Sequence, residues 1–158
     1  MKTLVTSLAM VIFAVSVAGA APDGRPAASE APVKIAISVS PTAVAAGAET
    51  SVTVRLDPKS GIKLNKYPKI KLQVPAVPGL VEAAEQSMGN SGPPPADQLE
   101  SNYFHGGTDP LKVTLHLDAL AVKGPHDIRA KLSYFYCVAA SGYCAPAKTE
   151  VTIPVTVR

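Results

Sequence analysis

Tryptophan is absent from the 158 residues, aromatic residues make up only 5% of them, and charged residues only 17%. Globular domains carry roughly 25% charged residues, so the chain has too little charge for a highly charged disordered protein. The net charge of +3 does not suggest the dense basic face of a nucleic-acid-binding protein, and no nucleic-acid partner is expected. The sequence contains no G-x-S-x-G, Gly-rich phosphate-loop or paired-carboxylate motif, so hydrolase and nucleotide chemistry have no support.

The main apolar stretch lies at the N-terminus, is short, and is interrupted by Thr6, Ser7 and Ser16. Lys2 gives a positive start, residues 4–17 are mostly apolar, and residues 18–20 (AGA) form a small-residue cleavage site. This pattern is typical of a cleaved secretory signal peptide over residues 1–20. An uncleaved membrane anchor is the alternative, but it would need roughly 20 apolar residues. We therefore expect a periplasmic protein without stable membrane insertion, whose residues 21–32 form a flexible leader.

From residue 33 onwards, apolar and polar residues alternate in stretches separated by turns rich in proline and glycine. Alternation predicts strands with one buried face at residues 33–39, 52–56, 70–74, 111–117, 128–136 and 151–157. Tyr134 and Tyr136 share the face of Leu132 and are predicted core residues. Only residues 81–88 have a composition that could form a helical turn or two. The pattern predicts an all-β domain over residues 33–158, an immunoglobulin-like two-sheet antiparallel β-sandwich, with a closed barrel as the alternative.

The chain has only two cysteines, and they lie close together. Cys137 follows the aromatic residues 134–136, and Cys144 comes after the segment 138–143, whose Gly142 suits a left-handed turn position. In a strand–loop–strand arrangement such residues face each other with about 4.5 to 5.5 Å between their alpha carbons, which is within disulfide range. An intramolecular Cys137–Cys144 disulfide is therefore predicted. A structural zinc site would need four ligands at paired spacing, and no metal site is predicted.

The residues alone leave two roles open for this disulfide. It can be a structural staple, which is the usual fate of two cysteines in an exported protein. Closing a loop of about eight residues contributes only roughly 2.5 kcal/mol in the chain-entropy estimate. It can instead be a redox-active pair, because a bond at a loop tip is accessible to an incoming thiolate. The alternative to a redox protein is therefore a secreted β-sandwich that binds a protein and uses its disulfide only for stability.

The other lysines and the histidines give weaker indications of a binding site. Five lysines lie close together with no acidic residue between them: Lys59, Lys63, Lys66, Lys69 and Lys71. Such lysines are usual on edge strands, where they prevent unwanted pairing; a docking surface for an acidic partner or an anionic membrane is the alternative. His105, His116 and His126 lack metal-ligand spacing, and His116 is expected to face solvent. A copper or zinc site would require His105 to converge on the cysteines.

The cysteine hairpin resembles that of a known redox family. Residues 134–157 (YFYCVAASGYCAPAKTEVTIPVTV) are similar to the cysteine hairpin of the N-terminal domain of the thiol:disulfide interchange protein DsbD and its relatives. The shared features are Tyr143 before the second cysteine, Pro146 after it, and an alternating final strand. Residues 60–72 resemble the family's Gly-led strand pair, and residues 102–106 its aromatic cap segment. The likeness runs from about residue 33 to the C-terminus. The loop has one residue more than in the best-known member, so its geometry and reduction potential are expected to differ.

This resemblance implies an immunoglobulin-like periplasmic domain that acts in thiol:disulfide exchange, as a component of a protein-disulfide reductase system and without a cofactor. Cys137 and Cys144 would be the catalytic residues, with Cys144 forming mixed disulfides with partners and Cys137 resolving them. Tyr103 or Phe104 would cap the sulfurs, with ordinary loop packing as the alternative. The expected partners are thioredoxin-like periplasmic proteins and a separate electron donor, because the sequence has no counterpart of the other DsbD domains.

Overall fold

The computed structural model describes residues 31–105 and 107–158. The predicted signal peptide (1–20) and residues 21–30 of the predicted leader lie outside the described residues. The described strands are β1 (Val33–Ser40), β2 (Ala43–Val44), β3 (Glu49–Pro58), β4 (Ile62–Leu64), β5 (Ile70–Val74), β6 (Ala84–Met88), β7 (Leu111–His116), β8 (Gly124–Val138) and β9 (Cys144–Val157). A short 3-10 helix, Ala96–Asn102, lies between β6 and β7.

The strands form two sheets, which confirms the predicted all-β class. The smaller sheet has the order β1-β3-β7, and the larger has the order β2-β9-β8-β5-β6 with β4 also paired to β8. One of the two sheets curls into a half-barrel. The expectation of purely antiparallel pairing is wrong at one edge, because β2 runs parallel to β9. There the backbone N–H groups of Thr156 and Arg158 donate to the carbonyls of Thr42 and Val44, both at 2.9 Å.

Alternating side chains from both sheets build one hydrophobic core. Five successive inner positions of β8 are buried: Ile128, Ala130, Leu132, Tyr134 and Tyr136. Inner residues of β3, β5, β7 and β9 pack in the same cluster. The prediction that both tyrosines are core residues is confirmed. Because full burial of a large apolar side chain contributes roughly 1.5–3 kcal/mol, this alternation determines which face of β8 points inward.

The one segment whose sequence allowed a helical turn, residues 81–88, contains the strand β6 instead. Residues Ala84–Met88 pair with β5 over its whole length. Their sequence, AEQSM, has no apolar alternation, and Glu85 and Gln86 are exposed. The strand forms because β5 offers it a backbone partner, and such a contact between segments overrides weak local preference.

β8 has different neighbours on its two edges. On one edge β4 and β5 lie end to end, with Lys63 of β4 opposite Cys137 and Lys71 of β5 opposite Ser133. On the other edge β9 pairs with β8 along its length, and Cys144 lies opposite Cys137. In the described part of the chain, no strand flanks the far edge of β9 until β2 pairs near its end. The cysteines therefore lie next to an open sheet edge.

Candidate redox site

The disulfide joins β8 and β9 at the start of their connecting hairpin loop. Cys137 and Cys144 are bonded, with their alpha carbons 4.0 Å apart, so the predicted disulfide is confirmed. The loop closes through backbone hydrogen bonds: Val138 N–H donates to the Tyr143 carbonyl at 2.7 Å, and Gly142 N–H donates to the Val138 carbonyl at 2.8 Å. Gly142 has φ of 69°, a left-handed conformation that glycine adopts without strain. The loop thus holds the cysteines opposite each other.

The two cysteines differ in exposure. Cys137 is only 4% exposed, whereas Cys144 is exposed. Cys137 has Lys63 of β4 on the side away from Cys144. Cys144 lies on the edge of β9 that no other described strand covers at this height. The strand order therefore makes one sulfur accessible and encloses the other.

Tyr103 and Asn65 lie against the enclosed sulfur. The Tyr103 hydroxyl oxygen is 3.7 Å from Cys137 Sγ, and Asn65 Oδ1 is 3.5 Å from the same atom. Asn65 is itself buried, with 6% of its surface exposed. The other residue expected in the cap, Phe104, packs instead against the hydrophobic core. Of the two aromatic residues, the structure brings only Tyr103 to the sulfur.

Residues 100–104, called the Tyr103 segment below, are attached by backbone hydrogen bonds to the end of β4 and to the residues that follow it. Lys66 N–H donates to the Asn102 carbonyl at 2.6 Å, and Phe104 N–H donates to the Leu64 carbonyl at 3.0 Å. Between them Tyr103 forms an isolated antiparallel bridge with Asn65. The segment therefore extends the sheet beside β4, and its aromatic side chain reaches towards β8.

Side-chain contacts of Asn102 and Glu100 also hold this segment. Buried Asn102 accepts a hydrogen bond from Tyr67 N–H at 2.9 Å and donates to the Tyr67 carbonyl at 3.0 Å. Lys63 forms an ion pair with Glu100 at 2.9 Å, and its ammonium lies 4.6 Å from the centre of the Tyr103 ring. The hydrogen bond to Glu100 raises the pKa of Lys63 above its usual 10.5. A lysine held in the charged form therefore lies directly across the strand from Cys137.

Sequence reasoning gave no role to Asn65, Asn102 or Glu100. Asn65 and Asn102 are polar residues in segments without a strand pattern of their own, and they become buried only when the two segments meet. Glu100 meets its lysine across 37 sequence positions. A single sequence gives no signal for such contacts.

Contrary to the prediction from the sequence, the lysine-rich stretch does not lie entirely on an edge strand. Lys71 lies on β5, between β8 and β6, so placing these lysines on an edge strand is wrong for this residue. Lys71 forms an ion pair with Glu85 at 3.0 Å, and this partner lies outside the acid-free stretch.

His116 is exposed, as predicted, and its Nδ1 lies 3.0 Å from a Glu49 carboxylate oxygen. Within residues 31–105 and 107–158, no group of three or more His, Cys, Asp or Glu side chains could hold a metal ion.

Comparison with known proteins does not assign the chain to a family. No protein-family model matches the chain, and no curated protein matches it significantly in sequence. The resemblance of the hairpin to the DsbD N-terminal domain therefore stays a prediction. No helix in the described part of the chain is both long enough and apolar enough to cross a membrane.

Proposed function

We propose that this protein is a periplasmic, DsbD-like module of thiol:disulfide exchange that passes electrons between thioredoxin-like proteins through Cys137 and Cys144. The proposal is carried by the asymmetry of the disulfide, in which Cys144 is exposed at a sheet edge and Cys137 is enclosed. Exchange needs one accessible sulfur for the partner. It also benefits from a second sulfur that stays in place to resolve the mixed disulfide.

The direction of attack favours Cys144. A thiolate attacks a disulfide along the S–S axis, from behind the sulfur that it bonds. The space behind Cys144 Sγ is the open edge of β9. The space behind Cys137 Sγ lies on the side of Lys63, Asn65 and Tyr103. Partners therefore bond to Cys144, and Cys137 is the leaving sulfur.

The proposed reaction moves two electrons without a cofactor. In the reduced protein the Cys144 thiolate attacks a partner disulfide, which forms a mixed disulfide and releases one partner thiolate. The Cys137 thiolate then attacks Cys144 Sγ, which closes the Cys137–Cys144 bond and releases the second partner thiolate; each released thiolate takes up a proton. A separate thioredoxin-like dithiol restores the reduced pair by the reverse steps. The strand register holds Cys137 opposite Cys144, so resolution is intramolecular and fast.

Tyr103 and Asn65 assist Cys137 in this cycle. The Tyr103 hydroxyl, 3.7 Å from Cys137 Sγ, donates a hydrogen bond to the thiolate that leaves, and hydrogen bonds to charged groups are stronger than those to neutral ones. When Cys137 is a thiol, its S–H donates to Asn65 Oδ1. Both contacts keep the resolving sulfur in position while Cys144 is bonded to a partner.

The proposal also includes the type of β fold. We infer that the two sheets are the layers of an immunoglobulin-like β-sandwich. One hydrophobic cluster contains inner residues of both sheets, and the chain crosses from the smaller sheet at β3 to the larger at β4, back at β7, and over again at β8. The periplasmic location is supported by the disulfide, because such bonds persist in oxidising compartments.

The second candidate is a secreted protein-binding domain whose disulfide is a structural staple. The observation in its favour is the set of backbone hydrogen bonds that fixes the Tyr103 segment over Cys137. A staple and an exchange pair differ in how their sulfurs react, so single-cysteine variants separate the two candidates.

Cys137→Ser leaves the exposed Cys144, and Cys144→Ser leaves the enclosed Cys137 as its matched control. With a small aromatic disulfide reagent we expect Cys144 to react at least about 100-fold faster, because reactivity follows thiolate access. Once the reagent has placed an aromatic thiol on Cys144 of the Cys137→Ser protein, the single thiolate of a thioredoxin-like protein that lacks its own resolving cysteine should displace that aromatic thiolate and form a protein–protein mixed disulfide, visible as a mass shift. Equal rates for the two variants, or recovery of unreacted monomer alone, would contradict the proposed order and favour the staple.

A further inference from the structure

The sheet face that carries the disulfide continues as an exposed surface along β8 and β9. Its cross-strand pairs are Cys137–Cys144, Phe135–Pro146, Ser133–Lys148 and Lys131–Glu150. Lys71 and Gln73 of β5 lie beside Ser133 and Lys131. Side chains of paired residues on one face are close neighbours. A protein bonded to Cys144 through a mixed disulfide therefore lies next to this surface.

The charges on this face fall into two groups. Some cations are neutralised within the protein, in the ion pairs Lys63–Glu100, Lys71–Glu85 and Arg129–Glu150. Lys131 and Lys148 are exposed and form no ion pair with an acid within residues 31–105 and 107–158. Together with Gln73, Ser133 and Glu150 they line a shallow groove of about 490 Å³. The remaining positive charge of the face is thus concentrated at Lys131 and Lys148.

Lys148 lies within the area that a bound protein covers, and Lys131 lies at the edge of that area. Residues in a strand rise about 3.3 Å each, which places Lys148 about 13 Å from Cys144 and Lys131 about 20 Å from Cys137. A typical interface covers about 800 Å² of each partner, a disc of about 16 Å radius. Lys148 falls inside such a disc around the disulfide, and the long side chain of Lys131 reaches its rim. Asp127, an acid farther along the same face, is about 33 Å from Cys137 and falls outside.

We propose that Lys131 and Lys148 form a docking surface for the redox partner, and that the partner is acidic next to its reactive cysteines. This inference rests on the proposed exchange function. Complementary charges raise association rates and orient the encounter, here with the partner's thiolate towards the open edge of β9. Salt weakens the effect, because the Debye length is only about 8 Å at physiological ionic strength.

The probes are synthetic dithiol peptides with one Cys-x-x-Cys core, flanked by glutamates in one and by lysines in the other. The measurement is the second-order rate at which each peptide reduces the Cys137–Cys144 disulfide, followed by thiol alkylation and mass. Each rate is divided by that of the same peptide with a small uncharged disulfide, because flanking charges also change the thiolate fraction. We expect the acidic peptide to be about tenfold faster at low ionic strength, and the ratio to fall to about twofold in high salt.

The matched variants remove equal charge at two places. Lys131→Gln/Lys148→Gln removes the docking lysines, and we expect the preference for the acidic peptide to fall about fivefold. Lys112→Gln/Lys123→Gln is the control, because these exposed lysines lie on β7 and in the loop before β8. The control should keep the full preference. An equal loss in both variants would show an effect of net charge and would overturn the docking surface.

Three other results would separate the docking surface from the exchange function. If both peptides reduce the protein at equal normalised rates, the docking surface is wrong while the exchange function stands. If neither peptide nor dithiothreitol reduces the folded protein, the exchange function itself fails. If phosphatidylglycerol vesicles bind the protein through Lys131 and Lys148 while the peptides are not discriminated, the occupant is a membrane and the proposal is overturned.

Discussion

Lys131 and Cys137 lie on the same outer face of β8, yet Lys131 is exposed and Cys137 is buried. At Lys131 the sheet has β5 on one side and β9 on the other, and the side chain projects into solvent. At Cys137 the Tyr103 segment, attached beside β4, reaches over the outer surface. Burial of the core therefore follows from alternation along the strand, whereas burial of Cys137 comes from a loop segment added to the sheet.

The largest effect is expected from a change on the inner face. Leu132→Ala removes a fully buried side chain and should lower the free energy of unfolding by about 3 kcal/mol, because it leaves a cavity in the core. Its neighbour on the outer face gives the control, since Lys131→Ala should change stability by less than about 0.5 kcal/mol. Urea unfolding measures both. Similar losses for the two variants would contradict the assignment of the faces.

The contrast between Lys131 and Cys137 also shows which parts of the fold and of the site the sequence could predict. The period of two predicted β1, β3, β5, β7, β8 and β9, the core positions of Tyr134 and Tyr136, and the disulfide, because each depends on residues close together in the chain. The short strands β2 and β6 lack the pattern, and β4 alternates over only three residues, so all three form only beside a backbone partner. The cover over Cys137 joins Tyr103 and Asn65 from distant segments, so no local pattern could reveal which sulfur is enclosed.

A second change tests the loop cover itself. In the Cys144→Ser background, Tyr103→Ala should raise the alkylation rate of Cys137 about tenfold, because opening the cover makes a buried thiol accessible. In the Cys137→Ser background the same change should alter the rate at Cys144 by less than about twofold, because that sulfur is already exposed. If both cysteines respond equally, Tyr103 is not a specific cover for Cys137.

Removing only the hydroxyl separates shielding from chemistry. Tyr103→Phe keeps the ring but loses the hydrogen bond to the leaving thiolate, so reduction of the disulfide by dithiothreitol should slow about fivefold. Tyr67→Phe is the control, because Tyr67 contacts the same segment through its backbone groups. Unchanged rates in Tyr103→Phe would leave Tyr103 with a packing role alone.

The inner face also has a pH signature. Burial, and secondarily the neighbouring Tyr136, raises the pKa of Tyr134 above its usual 10.0. The folded protein then holds this proton more tightly than the unfolded chain, so the contribution of Tyr134 to stability is complete below about pH 10 and is lost as the pH rises further. Tyr134→Phe should therefore lose less stability than the wild type between about pH 9 and pH 11 in urea unfolding. Equal losses would contradict the burial of this hydroxyl.

The smallest effect is expected at the exposed end of the cover. Glu100→Gln breaks the ion pair with Lys63 and should raise the alkylation rate of Cys137 in the Cys144→Ser background by no more than about threefold, because exposed ion pairs contribute little. Glu85→Gln removes the acid from Lys71 on the same sheet face and should leave that rate unchanged. A larger effect from Glu85→Gln would point to long-range charge rather than to release of the Tyr103 segment.

The equilibrium of the Cys137–Cys144 disulfide with glutathione tests the central claim most directly. The protein is held in buffers of defined glutathione ratio, quenched with acid, alkylated and weighed by mass spectrometry. Exchange with thioredoxin-like partners predicts a reduction potential above about −250 mV, where exchange proteins other than the most reducing ones lie. A potential well below about −300 mV, as in structural disulfides, would contradict the account and leave the bond as a staple.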